Sequence, residues 1–138
     1  MAGWKPKRLV GVYLCMRKKF TVLFVEDDAG VRETLSDVLP DEEFDSRIAS
    51  SGIEAMQILR RDQIDVLFTD IVMAGLNGIA LAELAKLIRP NLRVMFMTGY
   101  LSRAEEAEKI APLFYKPVRV HEIETAIRKS LNAPARLN

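Results

Sequence analysis

The sequence is poor in the residues that build disulfides and zinc centres. Among 138 residues it has one cysteine, Cys15, and one histidine, His121. A single cysteine excludes an internal disulfide, and one cysteine with one histidine is too few for a zinc centre of the usual spacing. We therefore expect a protein of a reducing compartment, the cytoplasm.

Long hydrophobic runs are also missing near the start of the chain. Residues 9–16 are apolar, but they are far fewer than the roughly 20 residues that a membrane-spanning helix needs. The basic residues 17–19 follow where a cleavable leader would carry small residues. We expect no membrane insertion and interpret residues 1–19 as a flexible basic extension. The alternatives are a natural start at Met16 and an interaction tail.

Acidic residues are absent from the first 19 positions, which hold six basic side chains. The rest of the chain has 14 basic and 19 acidic residues, so its net charge is −5, although the whole sequence has +1. Nucleic-acid surfaces are basic, and an acidic body gives no reason to expect one. We therefore predict no direct contact with nucleic acid.

From residue 20 onward, short apolar runs alternate with segments of helical periodicity. Strands are predicted over residues 21–25, 47–49, 64–69, 92–97 and 113–115. Helices are predicted over residues 31–39, 53–60, 79–88, 102–110 and 120–131. Strands that are apolar throughout and alternate with helices indicate a parallel sheet covered on both faces. The prediction is a (βα)5 doubly wound α/β domain over residues 20–131, followed by a tail, residues 132–138.

Some local assignments accompany these elements. Ser50 or Ser51 can cap the second helix, whose buried face is predicted to comprise Ile53, Met56, Ile58 and Leu59. Three methionines, Met73, Met95 and Met97, are interpreted as core residues rather than ligands. Asp65 begins its strand and is expected to be structural, and His121 is expected on the surface.

Polar residues follow four of the five predicted strands. They are Glu26, Asp27 and Asp28 after the first strand, Asp70 after the third, Thr98 (followed by Gly99) after the fourth, and Lys116 (followed by Pro117) after the fifth. In an open parallel sheet, ligands bind beyond the carboxyl ends of the strands. Neighbouring carboxylates repel one another unless a positive charge lies between them. Mg²⁺ can supply that charge, because it prefers oxygen ligands such as carboxylates. A magnesium site is therefore predicted at this edge.

In such a site, one carboxylate can attack a phosphoryl donor while Lys116 and Thr98 each bind a phosphoryl oxygen. The structural alternatives are that Asp70 only ends a strand and that Thr98 is an ordinary strand residue. Asp28 has its own structural alternative, as the cap of the first helix.

Four segments together resemble the receiver domain of two-component response regulators: residues 25–28, residues 70–78, Thr98-Gly99 and Lys116-Pro117. The resemblance covers residues 20–131 and implies a CheY-like, flavodoxin-like fold. It implies that Asp70 accepts the phosphoryl group. The implied Mg²⁺ ligands are Asp70, Asp27 directly, Glu26 through water, and the backbone carbonyl of Val72. It also implies a switch hydroxyl at Thr98, a phosphate-binding Lys116 and a cis peptide before Pro117.

The sequence departs from the family pattern at three places. Ala74 stands where the family usually has proline, and Leu113 where many members have an aromatic switch residue. Either Tyr115, Phe114 or Tyr100 takes over that switch role, or the coupling uses a different device. Only 17 residues, 99–115, separate Thr98 from Lys116, which shortens the fourth helix.

The resemblance implies a sensor histidine kinase or histidine phosphotransfer protein as the phosphoryl donor. It implies a downstream effector, or a second copy of the chain, on the face formed by the fourth helix, fifth strand and fifth helix. The chain is then no enzyme for outside substrates, but it catalyses its own phosphorylation and slow dephosphorylation. One alternative is a phosphate-independent pseudo-receiver that acts as an interaction module. A phosphohydrolase is disfavoured because it would need an aspartate at Val72. The chain is either a stand-alone regulator or one segment of a longer protein.

Overall fold

The computed structural model describes residues 19–40 and 42–132. Predictions about residues 1–18 and about the end of the tail lie outside the described residues. The strands are β1 Phe20–Val25, β2 Phe44–Ala49, β3 Val66–Asp70, β4 Arg93–Thr98 and β5 Leu113–Tyr115. The helices are α1 Ala29–Leu35, α2 Gly52–Arg61, α3 Gly78–Ile88, α4 Ala104–Glu108 and α5 Val120–Asn132. Within these ranges, no helix has both the length and the apolarity to cross a membrane.

The strands form one parallel sheet in the order β2-β1-β3-β4-β5. This order confirms the predicted doubly wound fold of the flavodoxin type, in which the strand order reverses between β1 and β3. Val25 at the end of β1 lies beside Thr69 near the end of β3. The residues that follow these two therefore leave the sheet side by side.

Alternate residues of each strand point to opposite faces, so the sheet is packed against two separate cores. Leu23 and Val25 belong to the core beneath α2, α3 and α4, whereas Val22 and Phe24 belong to the core beneath α1 and α5. The three methionines predicted to lie in the core, Met73, Met95 and Met97, are all buried. With both faces covered, the strand ends are where polar side chains can gather.

Several predicted boundaries were wrong. Helix α1 ends at Leu35, four residues before the predicted end, because the chain continues in tighter turns, in which the Val38 N–H donates to the Leu35 carbonyl. Val38 and Leu39 are nevertheless buried, which explains their helix-like spacing. Strand β2 is longer than predicted because it pairs with β1 along its whole length, and α4 has five residues instead of nine.

The predicted buried face of α2 was wrong at one position. Ile53, in the first turn of the helix, is 62% exposed, whereas Met56, Ile58 and Leu59 are buried as predicted. Ser51 caps the helix by accepting a hydrogen bond from the Glu54 N–H, which decides between the two candidate caps. The structural role predicted for Asp65 is confirmed because its carboxylate accepts a hydrogen bond from the Thr21 N–H at 2.8 Å.

Candidate functional site

The carboxyl edge of the sheet brings together side chains from three strand ends. The backbone N–H of Glu26 donates to the Ala49 carbonyl of β2, so the residue stays aligned with the sheet after β1 ends. Asp70 is the last residue of β3 and pairs with Met97 of β4. The N–H of Lys116 donates to the Thr98 carbonyl at 2.8 Å, which directs the lysine toward the same edge.

Lys116 joins the two buried carboxylates. Its Nζ lies 2.5 Å from Oε1 of Glu26 and 2.7 Å from Oδ2 of Asp70. Glu26 is fully buried and Asp70 is 4% exposed. These are charge-assisted hydrogen bonds, but a single ammonium group serves two carboxylates, so negative charge remains in excess.

This imbalance is reflected in the pKa values. Burial is the largest effect on Glu26, and together with the neighbouring Asp70 it raises the pKa of the Glu26 carboxyl to about 8, against the opposing effect of Lys116. Burial acts to lower the pKa of Lys116, but its hydrogen bonds and charge interactions with Asp70 and Glu26 outweigh burial and raise that pKa. The site therefore favours an additional positive charge.

Two carboxylate oxygens in the site have no partner. Oε2 of Glu26 and Oδ1 of Asp70 are buried without a hydrogen bond to any of the described residues. Oxygens of Glu26, Asp27 and Asp70 all lie within 4.8 Å of one another, and Asp27 is exposed at the edge. Buried polar atoms are normally satisfied. Hard oxygen ligands, excess negative charge and an exposed third carboxylate together fit a Mg²⁺ ion.

Thr98 ends β4 at the same edge, but its hydroxyl is engaged locally. Oγ1 accepts a hydrogen bond from the Tyr100 N–H at 3.1 Å and lies 3.2 Å from the Tyr100 carbonyl, to which it donates. The side chain is fully buried, whereas Tyr100 itself is 63% exposed. The hydroxyl therefore stands next to the acidic cluster without a hydrogen bond to it in the described structure.

The other predicted site residues lie in the loop after β3 and on β5. Val72 is exposed in the loop that follows Asp70. Leu113 is partly buried against the core beneath α3 and α4. Tyr115 is half exposed, and its hydroxyl donates to Glu108 of α4 at 3.4 Å. The structure thus brings Glu26, Asp27, Asp70 and Lys116 together and places Leu113 and Tyr115 toward α4.

Three smaller predictions can also be compared with the structure. The peptide bond between Lys116 and Pro117 is cis, as the resemblance implied. Asp28 caps α1, because its Oδ1 accepts a hydrogen bond from the Val31 N–H at 3.0 Å. His121 is exposed in the first turn of α5.

Two residues that support the site were missed from sequence. Arg32 of α1 donates to the backbone carbonyls of Glu26 and Asp27. Gly78 begins α3 so close to β3 that a Cβ atom on it would lie 2.0 Å from the carbonyl oxygen of Asp70. The position of Arg32 one turn after a helix cap was an available signal, since helical side chains lean toward the helix N-terminus.

Comparison with known proteins gives consistent matches. Residues 22–128 match the family model described as the response regulator receiver domain. The sporulation initiation phosphotransferase F of Bacillus subtilis is 32% identical over 114 residues, covering 80% of this chain and 92% of that protein. The response regulator receiver protein CpdR of Brucella abortus is 32% identical over 116 residues, covering 81% and 97%.

A solved structure agrees with these sequence matches. The response regulator receiver domain protein from Clostridium thermocellum superposes with a TM-score of 0.74 at 27% identity, covering 82% of this chain and 94% of that one. The match therefore extends over nearly the whole of each of these proteins.

Proposed function

The chain belongs to the response regulator receiver domain family, and from this premise we propose that it is a phosphorylation-dependent switch that accepts a phosphoryl group on Asp70. The donor would be a sensor histidine kinase or a histidine phosphotransfer protein. The observation that carries the proposal is the contact of Lys116 with Asp70 and Glu26 at an edge where two buried oxygens lack partners.

The proposed cofactor is Mg²⁺. Glu26, Asp27 and Asp70 would hold it, together with the backbone carbonyl of Val72. When bound, the ion would neutralise the excess negative charge of the carboxylates and of an incoming phosphoryl group. This assignment provides a ligand for the buried oxygens of Glu26 and Asp70 that have no hydrogen bond to the described residues.

In the transfer step, a carboxylate oxygen of Asp70 forms a bond to phosphorus while the phosphorus–nitrogen bond of the donor phosphohistidine breaks. The electron pair of that bond passes to the imidazole, which leaves. Lys116, already 2.7 Å from Asp70 Oδ2, is placed to pair with a phosphoryl oxygen. Positioning and charge neutralisation are the main contributions to such a reaction. The chain would thereby catalyse its own phosphorylation and, with water as acceptor, its slow dephosphorylation.

A groove next to the site offers the donor a surface. It has a volume of about 450 Å³ between α1 and the start of α5, and Asp28 and Lys116 form part of its wall. Most of the lining is apolar, including Val31, Pro117 and Val118. Contiguous apolar surface at a functional edge commonly marks a protein interaction site, so we propose this groove as the docking surface of the donor.

The response to phosphorylation of Asp70 would begin with a movement of Thr98. To donate to a phosphoryl oxygen, the hydroxyl must give up the hydrogen bond that it donates to the Tyr100 carbonyl, which would loosen the exposed loop before α4. Thr98, Leu113 and Tyr115 are the proposed switch residues, with Tyr115 connecting β5 to Glu108. The face formed by α4, β5 and α5 would then bind an effector or a second copy of the chain.

The remaining proposals concern the bounds of the receiver unit and the cellular location of the chain. The receiver unit is residues 20–131, with residues 1–19 as a basic extension and residues 132–138 as a tail. With a histidine kinase or phosphotransfer protein as its donor, the chain would act in the cytoplasm. We propose that the chain neither inserts into a membrane nor binds nucleic acid directly.

The test is phosphorylation of the full chain by acetyl phosphate with and without Mg²⁺, followed by intact-protein mass spectrometry. We expect the wild type to gain one phosphoryl group only with Mg²⁺, and Asp70→Asn to gain none. Asp37→Asn, an exposed residue distant in sequence from the strand ends, is the matched control and should react like the wild type. Asp70→Asn reacting at the wild-type rate would refute the assignment of the acceptor. A wild type that takes no phosphate would instead favour the phosphate-independent module.

A further inference from the structure

Arg32 of α1 is a charged residue that the proposed transfer chemistry does not use. Its Nη1 donates to the carbonyl oxygen of Asp27 at 2.8 Å and to that of Glu26 at 3.1 Å. The side chain is partly buried. One guanidinium nitrogen thus contacts the backbone of both acidic residues that follow β1.

The start of α1 determines this reach. Asp28 is the N-cap, and the Arg32 N–H donates to its carbonyl at 3.0 Å as the first regular helical hydrogen bond. Side chains of a helix lean toward its N-terminus. The long Arg32 side chain therefore extends back past the cap to the loop that connects β1 with α1.

The two acidic side chains depend on the backbone to different degrees. Glu26 is fully buried and its carboxylate is held by Lys116. Asp27 is exposed, and its carboxylate makes no hydrogen bond or ion pair with residues 19–40 or 42–132. The placement of the Asp27 carboxylate is therefore set by its own backbone, whose carbonyl Arg32 holds.

We propose that Arg32 is a positioning residue for the metal site: it fixes the β1–α1 loop so that the Asp27 carboxylate stays near those of Glu26 and Asp70. The inference rests on the proposed function, since it requires the acidic cluster to bind Mg²⁺. Partners that orient metal ligands typically change affinity strongly when they are removed. Arg32 would affect metal binding without touching the ion.

Arg89 provides a matched control. It is also a helix-associated arginine whose guanidinium donates to two backbone carbonyls, those of Leu59 and Asp62. Those carbonyls lie at the end of α2 and just after it, away from the acidic cluster. Arg89→Gln removes the same kind of hydrogen bond as Arg32→Gln, but from the opposite end of the fold.

The experiment is isothermal titration of the full chain with Mg²⁺, alongside thermal unfolding, for the wild type, Arg32→Gln, Arg32→Lys and Arg89→Gln. We expect Arg32→Gln to weaken Mg²⁺ binding about tenfold. Arg32→Lys should recover part of the affinity, because an ammonium group can still donate to a carbonyl. Arg89→Gln should lower the unfolding temperature and leave the Mg²⁺ affinity unchanged.

The possible failures are distinguishable. A wild type that binds no Mg²⁺ would overturn the metal site itself and, with it, the role of Arg32. Wild-type affinity in both Arg32 variants would overturn the positioning role alone. So would an equal loss in Arg89→Gln, because lost stability would then explain the effect. If Arg32→Gln does not fold, Arg32→Met, which keeps the length of the side chain but has no donor, decides: wild-type Mg²⁺ affinity contradicts the role and weaker binding supports it.

Discussion

The polar groups at the two edges of the sheet differ in how far their hydrogen-bonding capacity is satisfied. At the amino edge, the Asp65 carboxylate accepts a hydrogen bond from Thr21, while the Asp65 N–H donates back to the Thr21 carbonyl at 2.9 Å. At the carboxyl edge, Lys116 is shared between Glu26 and Asp70, and each of these acids keeps one buried oxygen without a hydrogen bond to the described residues. Both edges use aspartate, but among the described residues the buried carboxylate oxygens without a hydrogen bond are at the carboxyl edge.

This difference indicates which edge contributes to stability and which is reserved for a ligand. Buried polar groups that pair with each other stabilise a fold, whereas unpaired ones cost free energy until something binds them. Buried polar groups that lack hydrogen-bond partners are expected mainly at functional sites. The carboxyl edge should therefore tolerate, or even favour, loss of its charges, and the amino edge should not.

The largest loss of stability is expected from a substitution at the carboxyl edge that brings a side chain against backbone atoms. A Cβ atom at Gly78 would lie 2.0 Å from the carbonyl oxygen of Asp70 and 2.9 Å from Cα of Ile71. Because neither backbone atom can rotate away, Gly78→Ala should displace the start of α3 and lower the free energy of unfolding by about 3 kcal/mol. Urea denaturation measures this change.

Gly99→Ala is the control for that variant. Gly99 also lies at the carboxyl edge, but an added Cβ would have no atom within 4 Å. The free energy of unfolding should therefore change by no more than about 0.5 kcal/mol. Equal values for the two alanine variants would mean that the segment after β3 relaxes easily and that close packing does not fix Asp70.

The second prediction tests the comparison directly with one substitution at each edge. Asp70→Asn removes a charge from a crowded, incompletely paired cluster, so the unfolding free energy should rise by about 1 kcal/mol. Asp65→Asn weakens a charge-assisted hydrogen bond to the Thr21 N–H and should lower it by about 1 kcal/mol. Both changes are measured by urea denaturation in EDTA, so that no metal ion neutralises the carboxylates at the carboxyl edge.

Opposite signs for these two aspartates are the essential result. If Asp70→Asn destabilised the protein as much as Asp65→Asn, the Lys116 pairing would stabilise the apo fold. The charges at the carboxyl edge would then stabilise the protein without a bound ligand, which contradicts the comparison.

The clustering at the carboxyl edge could be predicted because it follows from topology. Once the strands were recognised as parallel, the residues after them had to meet at one edge, and the pairing of Val25 with Thr69 sets Glu26 beside Asp70. The same rule placed Asp65 at the opposite edge. These predictions needed only the order of apolar runs and the residue that ends each run.

Side-chain direction was less predictable. Ile53 fits the apolar spacing of α2, yet it lies on the exposed side of the helix with Gln57 and Arg60, whereas Ala55 and Met56 face the core. Thr98 was predicted to bind a phosphoryl oxygen, but its hydroxyl can also close a local turn with Tyr100, and sequence does not rank these two partners. Arg32 was missed because its contacts depend on the angle at which α1 leaves β1.

The smallest effect is expected from an exposed ion pair near the amino edge, between Glu43 and Arg128. The hydrogen bond from Arg128 lowers the pKa of the Glu43 carboxyl below its ordinary value of 4.5. A carboxyl with a lower pKa in the folded state stabilises the fold above its unfolded pKa, and this contribution disappears as pH falls through the folded pKa. Glu43→Gln should therefore be slightly less stable than the wild type near neutral pH, with a difference that vanishes in acid.

Urea denaturation of the wild type and Glu43→Gln from neutral pH to below pH 4.5 checks this, and added salt should reduce the neutral-pH difference. Glu42→Gln controls for the general loss of one negative charge. Arg128 keeps its bond to Glu124 and its position 5.2 Å from the Phe44 ring centre, so the residual effect of losing Glu43 should be small. A difference that grew as pH fell would contradict the ion pair. A small, salt-sensitive difference would show that this surface ion pair contributes little to the stability of the amino edge.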